Sequence, residues 1–250
     1  MIPKILHYCW FGKGEMPVLY KKCMESWNRV LPDYKVMRWD EDSFDINSNT
    51  YVKEAYENKK YAFVTDYVRL YALNNYGGVY LDTDVEVIKP LDRFLYDEAF
   101  SGFEKKDCVP TGIMAAEKSN PVIKDLLDEY TDRHFVLDDG SLDLTTNVYT
   151  ITKYFSENGI VLNGKNQTIK GFHMYPQSFF CTNSVLLVFG IKPKNVYTIH
   201  HYGGGWDSDD KKKQKFSFRT KRFFVGALRN MIGTNRTALL GKKIKEVRVR

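Results

Sequence analysis

The stretch that most constrains this chain is an apolar helical segment that halts at a glycine pair and passes at once into a strand ending in two aspartates. Val64, Val68, Leu70, Tyr71 and Leu73 recur at the spacing of one helix side, and Asp66 to Asn75 continues that helix to Gly77-Gly78. A glycine pair at that point is a strong C-terminal helix signal. Val79-Tyr80-Leu81 then begins a strand that runs into Asp82-Thr83-Asp84, and Val85 and Val87 resume the alternation before Pro90. A helix that stops and feeds a buried strand so directly belongs to a layered α/β fold.

The flanking sequence has the same rhythm. Strands are expected at Lys4 to Trp10, Tyr34 to Trp39, Ala99 to Phe103, Gly112 to Ala116 and Val196 to Ile199. Helices are expected at Val18 to Val30 (apolar at Leu19, Cys23, Trp27 and Val30), Tyr51 to Lys59, Pro121 to Tyr130 and Thr146 to Phe155. With no internal repeat and no low-complexity linker before the tail, these elements predict one α/β domain over residues 1–210 with a mixed central sheet. The 250 residues, 43% of them hydrophobic and 15% aromatic, are enough for one sizeable core and too apolar for a disordered chain.

Charge divides the chain in two. Residues 211–250 carry 14 Lys/Arg against the single acid Glu246, leaving 23 basic and 30 acidic residues in the body. In the tail, Phe216, Phe223, Phe224, Ala227, Leu228 and Met231 fall on one arc of a helix and Arg219, Arg222 and Arg229 opposite it. This is the pattern of a basic amphipathic helix lying in an anionic membrane interface; a helix docked on the acidic body is the alternative. Nucleic acid is not expected as a partner, since no nucleic-acid module is recognisable. No run approaches the ~18 apolar residues of a spanning helix, and the start of the chain has no block suited to a signal peptide. Cys9, Cys23, Cys108 and Cys181 are scattered without metal-knuckle or disulfide spacing. The expectation is a cytoplasmic protein attached peripherally to the inner face of the plasma membrane.

The chemistry is expected at Asp82-Thr83-Asp84. Where a strand end turns, two nearby carboxylates can converge on one cation, and an oxygen pair suits a hard divalent ion such as Mg2+ or Mn2+ that borrows further ligands from phosphates. The bland alternative is a pair of solvated strand-edge acids.

Phe63-Val64-Thr65-Asp66-Tyr67-Val68-Arg69-Leu70-Tyr71-Ala72-Leu73, followed by Tyr76-Gly77-Gly78-Val79-Tyr80-Leu81-Asp82-Thr83-Asp84, resembles the sugar-binding DXD region of glycosyltransferases, most nearly family 32, the group of Och1-like and capsular-polysaccharide transferases. Ile2 to Trp10 resembles that family's opening strand, Tyr175-Pro176 with Phe179-Phe180 its late Tyr-Pro segment, and His200-His201-Tyr202-Gly203-Gly204-Gly205-Trp206 its closing motif. The resemblance implies a GT-A fold, a nucleotide-sugar donor with UDP preferred and GDP second, a divalent metal (Mn2+ or Mg2+) and transfer with retention. It implies hexosyl or N-acetylhexosaminyl transfer to a glycan acceptor, lipid-linked if the tail binds membrane, in bacterial surface polysaccharide biosynthesis.

Carried onto this chain, Asp82 would touch the ribose and a metal-bound water, and Asp84 would bind the metal. His201, preferred to His200, would be the third ligand. Asp66 and Arg69 would hold donor-sugar hydroxyls, Trp10 would stack on the base, and Gly205 and Trp206 would close over the diphosphate. Asn147 either faces the anomeric carbon or caps a helix, the cap being preferred. Gly205 stands where the family usually has Ser, and Thr145-Thr146-Asn147 replaces its Gly-Pro segment. Other readings are a protein-glycosylating effector, a haloacid-dehalogenase-like phosphatase, since Asp82-Thr83-Asp84-Val85 satisfies that loop pattern, and a non-catalytic sugar-binding protein.

Overall fold

Two short buried strands set the frame. In the computed structural model, which describes residues 1–105, 107–182 and 195–203, β1 (Ile5–Cys9) runs parallel to β3 (Gly78–Leu81), with Leu6 opposite Val79 and His7 opposite Tyr80. β2 (Lys35–Trp39) joins the free side of β1 in parallel, and β6 (Ile113–Ala116) pairs antiparallel with β3. The sheet continues through β5 (Ala99–Gly102), β8 (Phe172–Tyr175) and β7 (Gln167–Ile169), giving seven strands in the order β2-β1-β3-β6-β5-β8-β7. The β5–β8 pair is parallel and the β5–β6 and β7–β8 pairs antiparallel. This is the mixed central sheet with flanking helices expected of a GT-A type domain.

Strand alternation divides the core into two layers. Tyr80, Met114 and Ala116 point to the layer holding Val64, Val68 and Leu73 of α3 (Tyr61–Tyr76), Ile123 and Leu126 of α4 (Pro121–Asp128), and Ile151 and Phe155 of α5 (Asn147–Glu157). Val79, Leu81, Ile113 and Ala115 point to the opposite layer with Trp27 of α1 (Val18–Val30). A second, two-stranded sheet pairs β4 (Val85–Val87) with β9 (Thr198–His200). On its other edge β4 is held by α1: the buried Trp27 Nε1 donates to the Val85 carbonyl at 2.7 Å, and the Val87 amide donates to Ser26 Oγ at 2.9 Å.

The glycine pair acts as the sequence suggests. Gly77 (φ +65°) ends α3, its amide donating to the Leu73 carbonyl at 2.8 Å. Gly78 (φ +116°) sits so close to β1 that a Cβ there would lie 2.5 Å from the Ile5 carbonyl oxygen. Both positions therefore require glycine, for backbone conformation and for close approach.

Other features differ from expectation. The β7–β8 hairpin was not foreseen; its two-residue turn, Lys170-Gly171, has both φ values positive (47° and 74°), as the tight turns that match strand twist demand. The inward side of α1 runs through Cys23 and Trp27 but leaves Leu19 exposed, and Tyr20 turns inward in its place. By internal contacts the chain divides into two units, Met1–Asn183 with Pro193–Tyr202, and Ser184–Lys192 with Gly203–Arg250. The elements above belong to the first. The expected boundary at 210/211 and the basic tail lie outside the described residues. Among those described, no helix is long and apolar enough to cross a membrane.

His7 ties this frame together and is itself testable. Its Nε2–H donates to the Gly77 carbonyl at 2.8 Å, and its Nδ1 accepts from Trp39 Nε1 at 3.1 Å, so the neutral ring is fully bonded. Burial pushes its pKa from 6.5 down to about 4, against the pull of the Gly77 bond. The unfolded chain therefore takes up a proton below its own pKa while the folded chain refuses it. Stability from this group is fully present above pH 6.5 and is lost as pH falls through about 4, by about 3 kcal/mol. Urea unfolding across that range is expected to show this loss in the wild type and a shallower acid limb in His7→Gln. Identical limbs would exclude His7 as the source.

Candidate active site

The two aspartates lie where the chain leaves one sheet and enters the other. After β3 the Asp82 amide donates to the Gly112 carbonyl at 2.8 Å, and a turn closes as the Val85 amide donates to the Asp82 carbonyl at 3.0 Å. Asp84, inside that turn, is nearly buried, while the side chain of Asp82 keeps 26% of its surface. Tyr80, two residues back on the same strand face, donates its hydroxyl to Asp82 Oδ1 at 2.9 Å.

Behind Asp82 stands Arg69, 2% exposed. Its Nη1 donates to the Thr111 carbonyl at 2.6 Å and its Nε to the Thr65 carbonyl at 3.2 Å. Its Nη2 lies 3.2 Å from Asp66 Oδ1 and 3.4 Å from Asp82 Oδ1, and the guanidinium packs 4.7 Å from the centre of the Tyr80 ring. Burial opposes the charge, but Asp82, Tyr80 and Asp66 hold the guanidinium protonated. Arg69 was expected to reach donor-sugar hydroxyls; here its nitrogens are taken up by protein acceptors, so its contacts in this structure are those of a group that orients the carboxylates.

Asp66 is fully buried. Burial raises its pKa to about 7, opposed chiefly by Arg69 and by the Asn147 amide. That amide donates to Asp66 Oδ2 at 3.1 Å, and Asn147 Nδ2 donates to the Asp66 carbonyl at 3.1 Å. The preferred reading of Asn147 as a helix cap is thus inverted. Asn147 is the first residue of α5, Thr146 at the cap position makes no side-chain bond, and the carboxylate of Asp66 receives the helix N-terminus, where negative charge is favoured. The buried Asn147 Oδ1 has no hydrogen-bond partner among the described residues.

The residue that joins the two aspartates in a group able to hold a metal ion is His200, where His201 was expected. β9 pairs with β4 so that His200 lies opposite Val85, and the His201 amide donates to the Asp84 carbonyl at 3.0 Å. His200 Nε2 then lies 3.2 Å from Asp84 Oδ1. Successive residues on a strand point to opposite faces, so His201 turns away and meets Glu86 Oε2 at 3.0 Å. That bond holds Glu86 below the ordinary carboxylate range, against its partial burial. One ligand atom each from Asp82, Asp84 and His200 lie within 4.8 Å of one another. Two carboxylate oxygens and an imidazole nitrogen form a donor set that fits a divalent ion. In the protein alone, burial disfavours a charge on His200, yet the bond and charge of Asp84 raise its pKa well above the ordinary value.

At the end of β1, Trp10 is partly buried, donates Nε1 to the Gly14 carbonyl at 2.8 Å, and meets Tyr20 edge-on with ring centres 5.8 Å apart. The Tyr20 phenol is raised to about 12 by burial and by Asp84 and Asp82. Sequence reading missed Tyr20; its signal was the three-residue step to Cys23 on the α1 face that also carries Trp27. Gly205 and Trp206 lie outside the described residues.

Known proteins carry the same signature. Residues 17–101, about a third of the chain, match the family model described as a glycosyltransferase sugar-binding region containing a DXD motif. The chain is 29% identical over 126 residues to inositol phosphoceramide mannosyltransferase 3 of Schizosaccharomyces pombe, covering 49% of this chain and 35% of that protein. It is 32% identical over 117 residues to mannosyl phosphorylinositol ceramide synthase SUR1 of Saccharomyces cerevisiae, covering 45% and 29%. The matches thus span about a third of those relatives' length. Among solved structures, a glycosyltransferase involved in glycosylation of the major capsid of PBCV-1 aligns over 86% of this chain and 100% of its own, at 12% identity and a TM-score of 0.48. Galactosyltransferase LgtC aligns over 87% and 95%, at 11% and 0.46. Neither structural likeness is strong enough to carry an argument.

Removing Arg69 strands two carboxylates in or beside the core. Arg69→Leu is expected to lose about 3–5 kcal/mol of stability by urea unfolding, the usual cost of breaking a buried ion pair from one side. Arg69→Lys is expected to recover only part of it, because one ammonium cannot reach Thr111, Asp66 and Asp82 together. A midpoint unchanged in Arg69→Leu would remove the bridge from the account of the fold.

Proposed function

We propose that this chain is a metal-dependent, retaining glycosyltransferase of GT-A type, moving a sugar from a nucleotide-sugar to a glycan or glycolipid acceptor. The observation that carries this reading is the convergence of Asp82, Asp84 and His200 at the sheet break, within a protein whose residues 17–101 match a sugar-binding DXD region.

In this reading Asp82, Asp84 and His200 hold the divalent ion, with Mn2+ favoured over Mg2+ by the imidazole in the donor set. Bound there, the ion neutralises charge gathering on the departing diphosphate. Arg69, fixed 3.4 Å from Asp82, adds a permanent positive charge in surroundings poor in water, where its field is strongest. Tyr80 and the Gly112 carbonyl keep Asp82 in place. Trp10, with Tyr20 against its edge, offers an aromatic wall for the base. The sugar C–O bond to phosphate breaks as the acceptor hydroxyl approaches the same face. The hydroxyl proton passes to the departing phosphate oxygen, and no protein nucleophile takes part. A trapped glycosyl-enzyme would overturn that route.

The resemblance favours a UDP-sugar, whereas the two yeast relatives are named for mannose, which sets a mannose nucleotide and GDP beside UDP as the donors to test. Their names also join mannose to an inositol phosphoceramide. That supports a lipid-borne acceptor here, and agrees with a basic tail over 211–250 that holds the enzyme on the inner face of an anionic membrane. A role in bacterial surface polysaccharide rests on the family resemblance.

Calorimetry with UDP, GDP and CMP, each with Mn2+, Mg2+ or EDTA, tests the reading. One nucleotide is expected to bind only with metal, and Asp84→Ala to weaken that binding at least ten-fold. Hydrolysis of the matching nucleotide-sugars then identifies the sugar. Absence of binding by any nucleotide with either metal to the folded wild type would overturn the proposal.

A further inference from the structure

The geometry points to Gly112 as a positioning residue for the metal cluster: its missing side chain is what lets the His200 ring stand beside Asp82 and Asp84. This inference rests on the metal-site reading above. A Cβ built on Gly112 would lie 2.8 Å from His200 Cε1 and 2.9 Å from His200 Nδ1, closer than real Cβ contacts, and 3.4 Å from Asp82 Oδ2. Gly112 is not among the positive-φ glycines, so backbone conformation does not call for glycine at this position. What calls for it is the neighbour.

Neither partner is free to yield. The His200 ring is fixed at Nε2 by Asp84 at 3.2 Å and stacks on Tyr202 with ring centres 4.1 Å apart and planes 21° from parallel. Its Nδ1 is buried, and its backbone belongs to the ladder opposite Val85. On the other side, the Gly112 carbonyl receives the Asp82 amide at 2.8 Å, and Thr111 before it receives Arg69 at 2.6 Å. Ile113 after it is paired with Leu81. One residue therefore touches both halves of the cluster: its carbonyl holds the Asp82 backbone and its bare Cα receives the His200 edge. A methyl group would drive the imidazole away from the carboxylates or push the Thr111–Ile113 segment, with Asp82 bonded to it, off the sheet.

The test uses the full chain as wild type, Gly112→Ala, His200→Ala and the double variant. Mn2+ affinity is read from the loss of the free-ion EPR signal, and stability from thermal unfolding followed by circular dichroism. Gly112→Ala is expected to bind Mn2+ about 10–100-fold more weakly, the range seen when groups supporting metal ligands are altered. It is also expected to lower the melting temperature in the wild-type background but not in the His200→Ala background, where the methyl has room. Wild-type Mn2+ affinity in Gly112→Ala, or an equal fall in melting temperature in both backgrounds, would overturn the assignment. Should Gly112→Ala fail to fold, recovery of folding in the double variant supports it and continued failure overturns it. Failure of the wild type to bind Mn2+ would instead overturn the metal reading, and the melting comparison would still decide whether Gly112 makes room for His200.

Discussion

A guanidinium almost cut off from water holds the centre of this structure. Placing Arg69 beneath the sheet costs several kcal/mol of lost hydration, and the structure answers with two carboxylates, two carbonyls and an aromatic face. The answers come from three parts of the fold: Asp66 and Thr65 from α3, Tyr80 from β3 with Asp82 just beyond it, and Thr111 from the approach to β6. The charge therefore fixes the relative placement of helix and strands more tightly than apolar contact alone. Its influence extends to α5, whose first amide is received by the carboxylate that Arg69 partly neutralises. A buried network of this kind tolerates few partial solutions, because any group left unpaired carries its full desolvation cost.

From that anchor the site is built outward at a discontinuity. β3 belongs to the large sheet and β4 to the small one, and the three residues between them make the turn that exposes Asp82 and tucks Asp84 inward. Because β4 is clamped between α1 and β9, the turn has fixed ends. Carboxylates on such a turn are oriented before any ligand arrives, which lowers the reorganisation required on binding.

Much of this was legible in the residues because the information was local. The α3 periodicity, the stop at Gly77-Gly78 and the run into Asp82-Thr83-Asp84 depend on neighbours a few positions apart, and α1 spans Val18–Val30 as its spacing indicates. What escaped depends on register and on distant partners. His200 and His201 are indistinguishable by composition, and only the pairing of β9 with β4 decides which one faces Asp84. The cap on α5 was invisible because its acceptor comes from α3. Tyr20 was passed over because one turn of helix offers two adjacent hydrophobic residues and only the packed α1 shows which is turned inward. The β7–β8 hairpin carried a signal, Lys170-Gly171 between two alternating runs, but a lysine in the left-handed region is uncommon enough to pass unnoticed.

The β4–β9 ladder also imposes an order on the life of the chain. The sheet strands up to β8, the Arg69 network and both aspartates are complete in a polypeptide ending near Tyr175, whereas His200 joins Asp84 only after the chain has returned across more than a hundred residues. On a ribosome, which releases sequence from the N-terminal end, the body of the domain would assemble with Asp82 and Asp84 in place and His200 still inside the tunnel. The strand that brings in His200 is the strand that closes the edge of β4, so the gathering of the three side chains and the completion of the small sheet go together.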